Sequence, residues 1–453
     1  MAAGRIAAGA ILWATERRLW LLLAALLGAG EAAGLAAQTR NDLHLFVLIA
    51  LAQGAVYAVA VALLARGRGA RPNARPNARP GLAFVLVVAA ALRLGPLLAP
   101  VALSTDIYRY VWDGRVAAAG INPYRYIPTD PHLLRLRDPV IFPRINRNNY
   151  APTIYPPVAQ MLFLLAHALG GGVMALKLLF VALEAVGIAA LVFVLDRVKR
   201  PREAILIYAW HPLPIWEIAG SGHVDAAVVA FVGLALLAAV SGRRAGSGAA
   251  LAAATLIKFL PAVIAPALWR WRDRRFVIAF IMVAIAAYLP YIDVGRRVLG
   301  FLPGYVKEER LSSGGGFWAL DLARQVAAVP ATAYFAVAVL VMAGLALAAL
   351  RRPPGAPASL SWAMILATAA TVLASPHYPW YFVWLVALLS VAPWGPALWP
   401  TLTAFLLYWD PRTGYIPGWV EFTIYGGFFI LAVGERVARL RGRGERHGIR
   451  RAG

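Results

Sequence analysis

Apolar runs of about 20 residues, the length that crosses a hydrocarbon core of roughly 30 Å, recur along this chain and decide its class. Residues 19–37, 44–65, 81–103, 173–195, 328–350 and 417–434 are runs of this kind. Composition agrees: 61% of the 453 residues are hydrophobic and 14% are charged, whereas a soluble domain carries about a quarter charged residues. The expected fold is therefore all-α and polytopic. Lone charges inside the runs, such as Arg93 and Glu184, are uncommon in membrane spans.

The net charge is +23, from 44 basic and 21 acidic residues. Only Lys177, Lys199, Lys258 and Lys307 are lysines; the rest are arginines, mostly in short clusters between apolar runs. Arg66, Arg68, Arg71, Arg75 and Arg79 form one cluster, and Arg197, Lys199, Arg200 and Arg202 another. Arg243-Arg244, Arg270 to Arg275, Arg351-Arg352 and the tail after Arg436 continue the pattern. The positive-inside rule places such clusters on the cytoplasmic side. A nucleic-acid face would need them gathered together, so the expected contact is with anionic lipid headgroups. There is no cysteine, hence no disulfide framework. Arg5, Arg17 and Arg18 precede the first apolar run without a convincing cleavage site after it, which reads as an uncleaved signal anchor.

Alternating from an inside N-terminus gives about 11 to 14 spans, each needing roughly 20 apolar residues. Residues 1–80 read as a two-span hairpin with a basic linker that repeats Arg-Pro-Asn-Ala. Residues 81–325 read as a catalytic module, and 326–453 as a C-terminal transmembrane module with a basic tail. The segments at Gly220–Asp225, Asp293–Gln325, Ser375–Tyr381 and Trp409–Gly418 fall outside. Residues 157–170 and 248–268 break the alternation and read as broken or re-entrant helices, which are tolerated where the backbone is covered or lines a cavity.

The outer loop of residues 104–156 carries seven prolines and many tyrosines, arginines and asparagines. Unstructured connections of that length are uncommon and usually functional or disordered; its aromatics favour an ordered, functional loop. At its start Asp106, Arg109, Tyr110 and Asp113 are spaced to share one helical face. Two carboxylates with an arginine between them fit a general base and its orienting partners, or a salt-bridged helix surface. Gly120 and Pro123 fit a helix end. Tyr155-Pro156-Pro157 leads back into the membrane.

Further along, Gly222-His223-Val224-Asp225 reads as a cap or a site, with Glu217 in the apolar run before it. Lys258 sits inside an apolar run with Pro261, so it presents an ammonium from a broken helix. Lys177 lies near a span end, where snorkelling is the simpler account. His377, Tyr378 and Trp380 combine an imidazole that can donate a hydrogen bond to a phosphate with rings that stack on sugars or anchor at an interface. Arg296, Arg297, Lys307 and Arg310 make a basic outer patch, which either pairs with Glu308 and Glu309 or holds a lipid phosphate. Neither a metal motif nor a phosphate loop is present; a metal between Asp106 and Asp113 is conceivable but unsupported by any motif.

The stretch from Ser104 to Arg115, Ser-Thr-Asp-Ile-Tyr-Arg-Tyr-Val-Trp-Asp-Gly-Arg, followed by Gly-Ile-Asn-Pro-Tyr from Gly120 to Tyr124, resembles the first outer loop of GT-C glycosyltransferases. The closest resemblance is to glycosyltransferase family 87 and the mannosyltransferase-like branch. Tyr155-Pro156-Pro157, Gly222 to Asp225, Lys258 with Pro261, and Ser375-Pro376 with Trp380 follow in the same order, over about residues 81–395. The resemblance implies a polyprenyl-phosphate sugar donor, mannose above all, and a lipid or glycan acceptor at the outer face of a bacterial inner membrane. Asp106 matches the carboxylate that acts as general base in an inverting transfer. Many relatives carry a second acid beside it; here the neighbour is Thr105, which leaves Asp113 either to assist or to position Arg109 and Arg115.

The candidate catalytic residues are thus Asp106 and Asp113. The candidate substrate-binding residues are Arg109, Tyr110, Arg115, Tyr155, His223, Asp225, Lys258, Arg296, Arg297, Arg310, His377, Tyr378 and Trp380. No cofactor is expected. A transporter or flippase of a lipid-linked sugar is the competing class; it requires internal repeats and charges on broken helices at mid-membrane. A non-catalytic envelope scaffold is the third.

Overall fold

The computed structural model describes residues 2–66, 79–410 and 416–451, with side chains from 17 to 441. Every regular element among the described residues is helical. The Arg-Pro-Asn-Ala repeat with Arg68, Arg71 and Arg75, residues 411–415 of the Trp409–Gly418 segment, and the side chains of Arg5 and the extreme tail lie outside the described residues.

Helices α1 (Ala2–Thr39) and α2 (Leu43–Arg66) form a hairpin, followed by α3 (Leu82–Leu98). Then come α4 (Asp106–Ala118), α5 (Pro157–Ala168) and the long α6 (Val173–Arg197). Six helices among the described residues are long and apolar enough to cross a membrane, and shorter apolar helices include α3, α5, Asp225–Val240 and Pro379–Val391. The protein is an all-α polytopic membrane protein. Full-length spans are fewer than the 11 to 14 expected because several apolar runs are interrupted. The run at 248–268 shows why. Helix Arg244–Thr255 ends before Lys258, and the chain resumes as a 3-10 turn, Leu260–Ile264, with Pro261 at its start. A proline there lacks the N–H that an unbroken helix needs.

The basic turns meet at one end of the bundle. Arg197 donates to Ser241 Oγ (3.1 Å), Arg244 lies 3.8 Å from Asp273 and donates to the Pro354 carbonyl (3.4 Å). Arg200 donates to the Val391 carbonyl (2.5 Å). Helices Asp225–Val240 and Arg244–Thr255 lead from this end to Asp225 and Lys258, which meet at the other.

Arg93, Glu184 and Lys177, three charges within the apolar runs, find partners. Arg93 on α3 makes a bidentate pair with Glu184 on α6, at 2.7 Å for each bond, and Tyr208 donates to the same carboxylate (2.9 Å). Lys177 does not snorkel. It is buried, and its ammonium donates to the carbonyls of Pro96 (2.7 Å) and Ala99 (2.9 Å) at the end of α3. Helix ends leave carbonyls without an intrahelical partner, and this lysine satisfies two of them just before the Ser104 loop. Lys177→Met is expected to cost about 1–3 kcal/mol, the price of orphaned buried carbonyls. Thermal unfolding in detergent should show a lower midpoint.

Candidate active site

Helix α4 opens with Asp106 in its first turn, where a negative charge favours the helix dipole. The backbone N–H of Asp106 donates to Ser104 Oγ (3.2 Å). The expected face forms: Arg109, Tyr110 and Asp113 are buried, with Asp106 half-buried at its end. Gly114 lets α4 lie directly on α5, since a Cβ there would come within 2.3 Å of the Phe163 carbonyl oxygen. Tyr110 stacks on Phe163 with ring centroids 4.7 Å apart and planes 7° from parallel.

Asp106 faces a cavity of about 740 Å³, ample for a sugar with its phosphate, since ligand pockets span roughly 300–1,000 Å³. Lys258, Tyr155 and Arg109 line it together with His377, Tyr378 and Trp380. These residues come from four separate stretches of chain. Apolar side chains, among them Leu103, Phe259, Leu260 and Leu302, line it too.

The Asp106 carboxylate accepts from Asn146 Nδ2 (2.8 Å) and from the Tyr155 hydroxyl (3.2 Å). It makes no ion pair within 4.0 Å among the described residues. Burial pushes its pKa above the usual carboxylate value; Lys258, the Tyr155 and Asn146 hydrogen bonds and Arg147 oppose that rise.

The cations of the cavity are each held by a carboxylate. Lys258 donates to both oxygens of Asp225 (2.9 and 2.7 Å) and lies 4.6 Å from the centre of the Tyr381 ring. Arg109 pairs with Asp113 (2.9 Å) and donates to the Ala151 carbonyl (3.1 Å). Arg147 makes two bonds to Glu308 (2.8 and 2.9 Å). It holds a left-handed backbone at φ 55°, uncommon for a long side chain. His377 lies 3.6 Å from Glu309. Burial lowers the His377 pKa, but Glu309 and the Gly316 carbonyl outweigh it, so the imidazole is held above its ordinary value.

Other sequence candidates take supporting places. Asp113 is outside the cavity wall and fixes Arg109, while Gln160 donates to its second oxygen (3.2 Å). Asp106 and Asp113 therefore do not face one another. Arg115 is not part of this pair; it binds Asp138 and the Leu136 carbonyl (2.9 Å). The Tyr110 hydroxyl lies 3.3 Å from that of Tyr155. His223 is buried behind Trp380, stacked at 4.1 Å, and Asp225 is behind Lys258. Arg296, Arg297 and Arg310 are exposed and outside the cavity wall. Among the described residues no three His, Asp or Glu side chains gather as metal ligands. Sequence reasoning singled out neither Asn146 nor Arg147, nor Tyr305 and Tyr408, all of which line the cavity.

The fold and this cavity define a polytopic membrane protein with a ligand-sized chamber, lined by both charged and apolar side chains, at one end of its helices. Residues 3–273 match the family model described as alpha-(1->6)-mannopyranosyltransferase, N-terminal domain, and the chain belongs to that family. It is a membrane glycosyltransferase of a mannosyltransferase family, in agreement with the resemblance carried by the Ser104–Tyr124 stretch. No curated protein and no solved structure matches it.

Proposed function

We propose that the protein transfers mannose from a polyprenyl-phosphate donor to a hydroxyl of a lipid or glycan acceptor, with inversion, and with Asp106 as general base. The observation that carries this reading is the carboxylate of Asp106, free of ion pairs among the described residues, facing a cavity that also holds Lys258, Arg109 and Arg147. The acceptor oxygen attacks the anomeric carbon while its proton passes to Asp106. The bond from that carbon to the phosphate oxygen breaks, and polyprenyl phosphate leaves with the electron pair. Cations already in place meet the charge that grows on the leaving oxygen, so a phosphate needs no separate general acid.

The proposed setting is a bacterial inner membrane, with the cavity on the periplasmic or extracellular side. Support comes from the arginine-rich turns, which sit at the end of the bundle away from the cavity. Nucleotide sugars are cytosolic, so a lipid-linked donor fits that side. Against the transporter reading, Lys258 is tied to Asp225 and Glu217 to Tyr408, leaving neither as a loose mid-membrane charge. The deciding experiment incubates purified protein with polyprenyl-phosphate mannose and a mannosyl acceptor, with the Asp106→Asn variant alongside. Transfer that persists at the wild-type rate in the variant would refute the assignment of the base.

The pH profile gives a separate check. Asp106 works only when deprotonated, and burial raises its pKa. The acidic limb of log kcat/KM is therefore expected above the usual carboxylate range. Asn146 stabilises the charged form, so Asn146→Ala should move that limb to still higher pH. A limb that stays put, or moves down, contradicts the role of Asp106.

A further inference from the structure

Behind the cavity wall lies a pair that the chemistry above does not use. Glu217 and His223 are both fully buried. Glu217 sits within a π-helical turn, Ile215–Gly220, and His223 follows it after Gly222, whose φ of 69° suits glycine. The His223 backbone N–H donates to the Glu217 carbonyl (3.0 Å), and His223 Nε2 lies 3.4 Å from the Glu217 carboxylate. Each of the two holds a residue that lines the cavity. The Tyr408 hydroxyl reaches both oxygens of Glu217 (3.0 and 3.1 Å). The His223 ring lies against Trp380 at 4.1 Å and 22° from parallel, and Trp380 in turn stacks on Tyr378 at 4.7 Å.

We infer that Glu217 and His223 are positioning residues for the aromatic wall, and that through Trp380 and Tyr408 they set which sugar the cavity accepts. This rests on the glycosyltransferase reading of the cavity. Burying a carboxylate and an imidazole side by side is costly; Tyr408 donates to the carboxylate, while the imidazole stacks on Trp380 and its two nitrogens make no hydrogen bond among the described residues. Trp380 offers an apolar face or edge to the sugar ring, while the Tyr408 hydroxyl is fixed by Glu217. Hexoses that differ in one hydroxyl are told apart by such fixed groups, because an unmatched polar group is left unpaired. Neither Glu217 nor His223 touches the cavity itself.

The test uses two readouts on the full-length protein. Polyprenyl-phosphate mannose and polyprenyl-phosphate glucose are compared as donors by kcat/KM. His223→Ala and Glu217→Gln are expected to lower the mannose-to-glucose ratio about two- to tenfold, the scale of one aromatic contact. His223→Phe, which keeps a ring against Trp380, should retain most of the ratio. In parallel, the protein is labelled with 5-fluorotryptophan, and the Trp380 signal is found by its loss in Trp380→Phe. His223→Ala and Glu217→Gln should shift that fluorine signal. An unmoved signal overturns the inference, and so does a fall in both donors' rates at an unchanged ratio. If the wild-type protein uses neither donor, the proposed reaction fails while the fluorine result still decides whether the pair positions Trp380.

Discussion

Asp106→Asn is expected to lower kcat/KM for mannosyl transfer by about 10²- to 10⁴-fold, the range of a positioned general base. Asparagine keeps the size of the side chain. It can still meet the Tyr155 hydroxyl and Asn146, which hold the carboxylate at 3.2 and 2.8 Å. It cannot take up the acceptor proton. The fold should survive, because Asp106 makes no ion pair within 4.0 Å among the described residues and no buried cation is stranded. Initial rates with radiolabelled donor, together with an unchanged unfolding midpoint, measure both halves of this expectation. A drop in donor affinity without a drop in turnover would instead assign Asp106 to binding.

Lys258 should give the second large effect, of a different kind. Its ammonium is held by Asp225 and shielded to 16% side-chain exposure. Lys258→Met removes the charge proposed to face the leaving phosphate, a loss of about 10²- to 10³-fold in kcat if it acts as a fixed electrostatic group. It also strands the Asp225 carboxylate, and breaking a buried pair costs about 3–5 kcal/mol. The double variant Lys258→Met/Asp225→Asn separates the two effects. It should recover most of the thermal stability and little of the activity. Recovery of both would make the pair structural and move the phosphate site towards Arg109 or Arg147.

How much of this was legible depended on how far each signal stood out from its surroundings. The apolar runs announced the membrane fold, and the spacing of Asp106, Arg109, Tyr110 and Asp113 announced a shared helical face; that most of it is buried was not in the spacing. Lys258 was conspicuous because a lone ammonium in an apolar run is rare, and the break beside Pro261 followed from proline's missing N–H. Asn146 and Arg147 had no such contrast. They sit in a loop full of asparagines and arginines, and only its folding brings them beside Asp106. The cluster of Arg296, Arg297 and Arg310 shows the opposite case: density of charge along a sequence says nothing about direction, and these side chains are exposed outside the cavity wall. Asp113 was ambiguous because spacing cannot tell a catalytic acid from one that clamps Arg109; in the structure it is buried, outside the cavity wall and 2.9 Å from Arg109.

The cavity draws Asp106 and Lys258 from the family-matched stretch of residues 3–273, but Tyr305, Glu309, Tyr378 and Trp380 from the chain beyond it. The proposed reacting groups and much of the wall that receives the sugar are thus on different halves of one polypeptide. Change in the second half can retune what is bound without disturbing the base. A fragment that stopped at the matched boundary would retain the acid and the ammonium, yet have nothing on the far side to press a substrate against them.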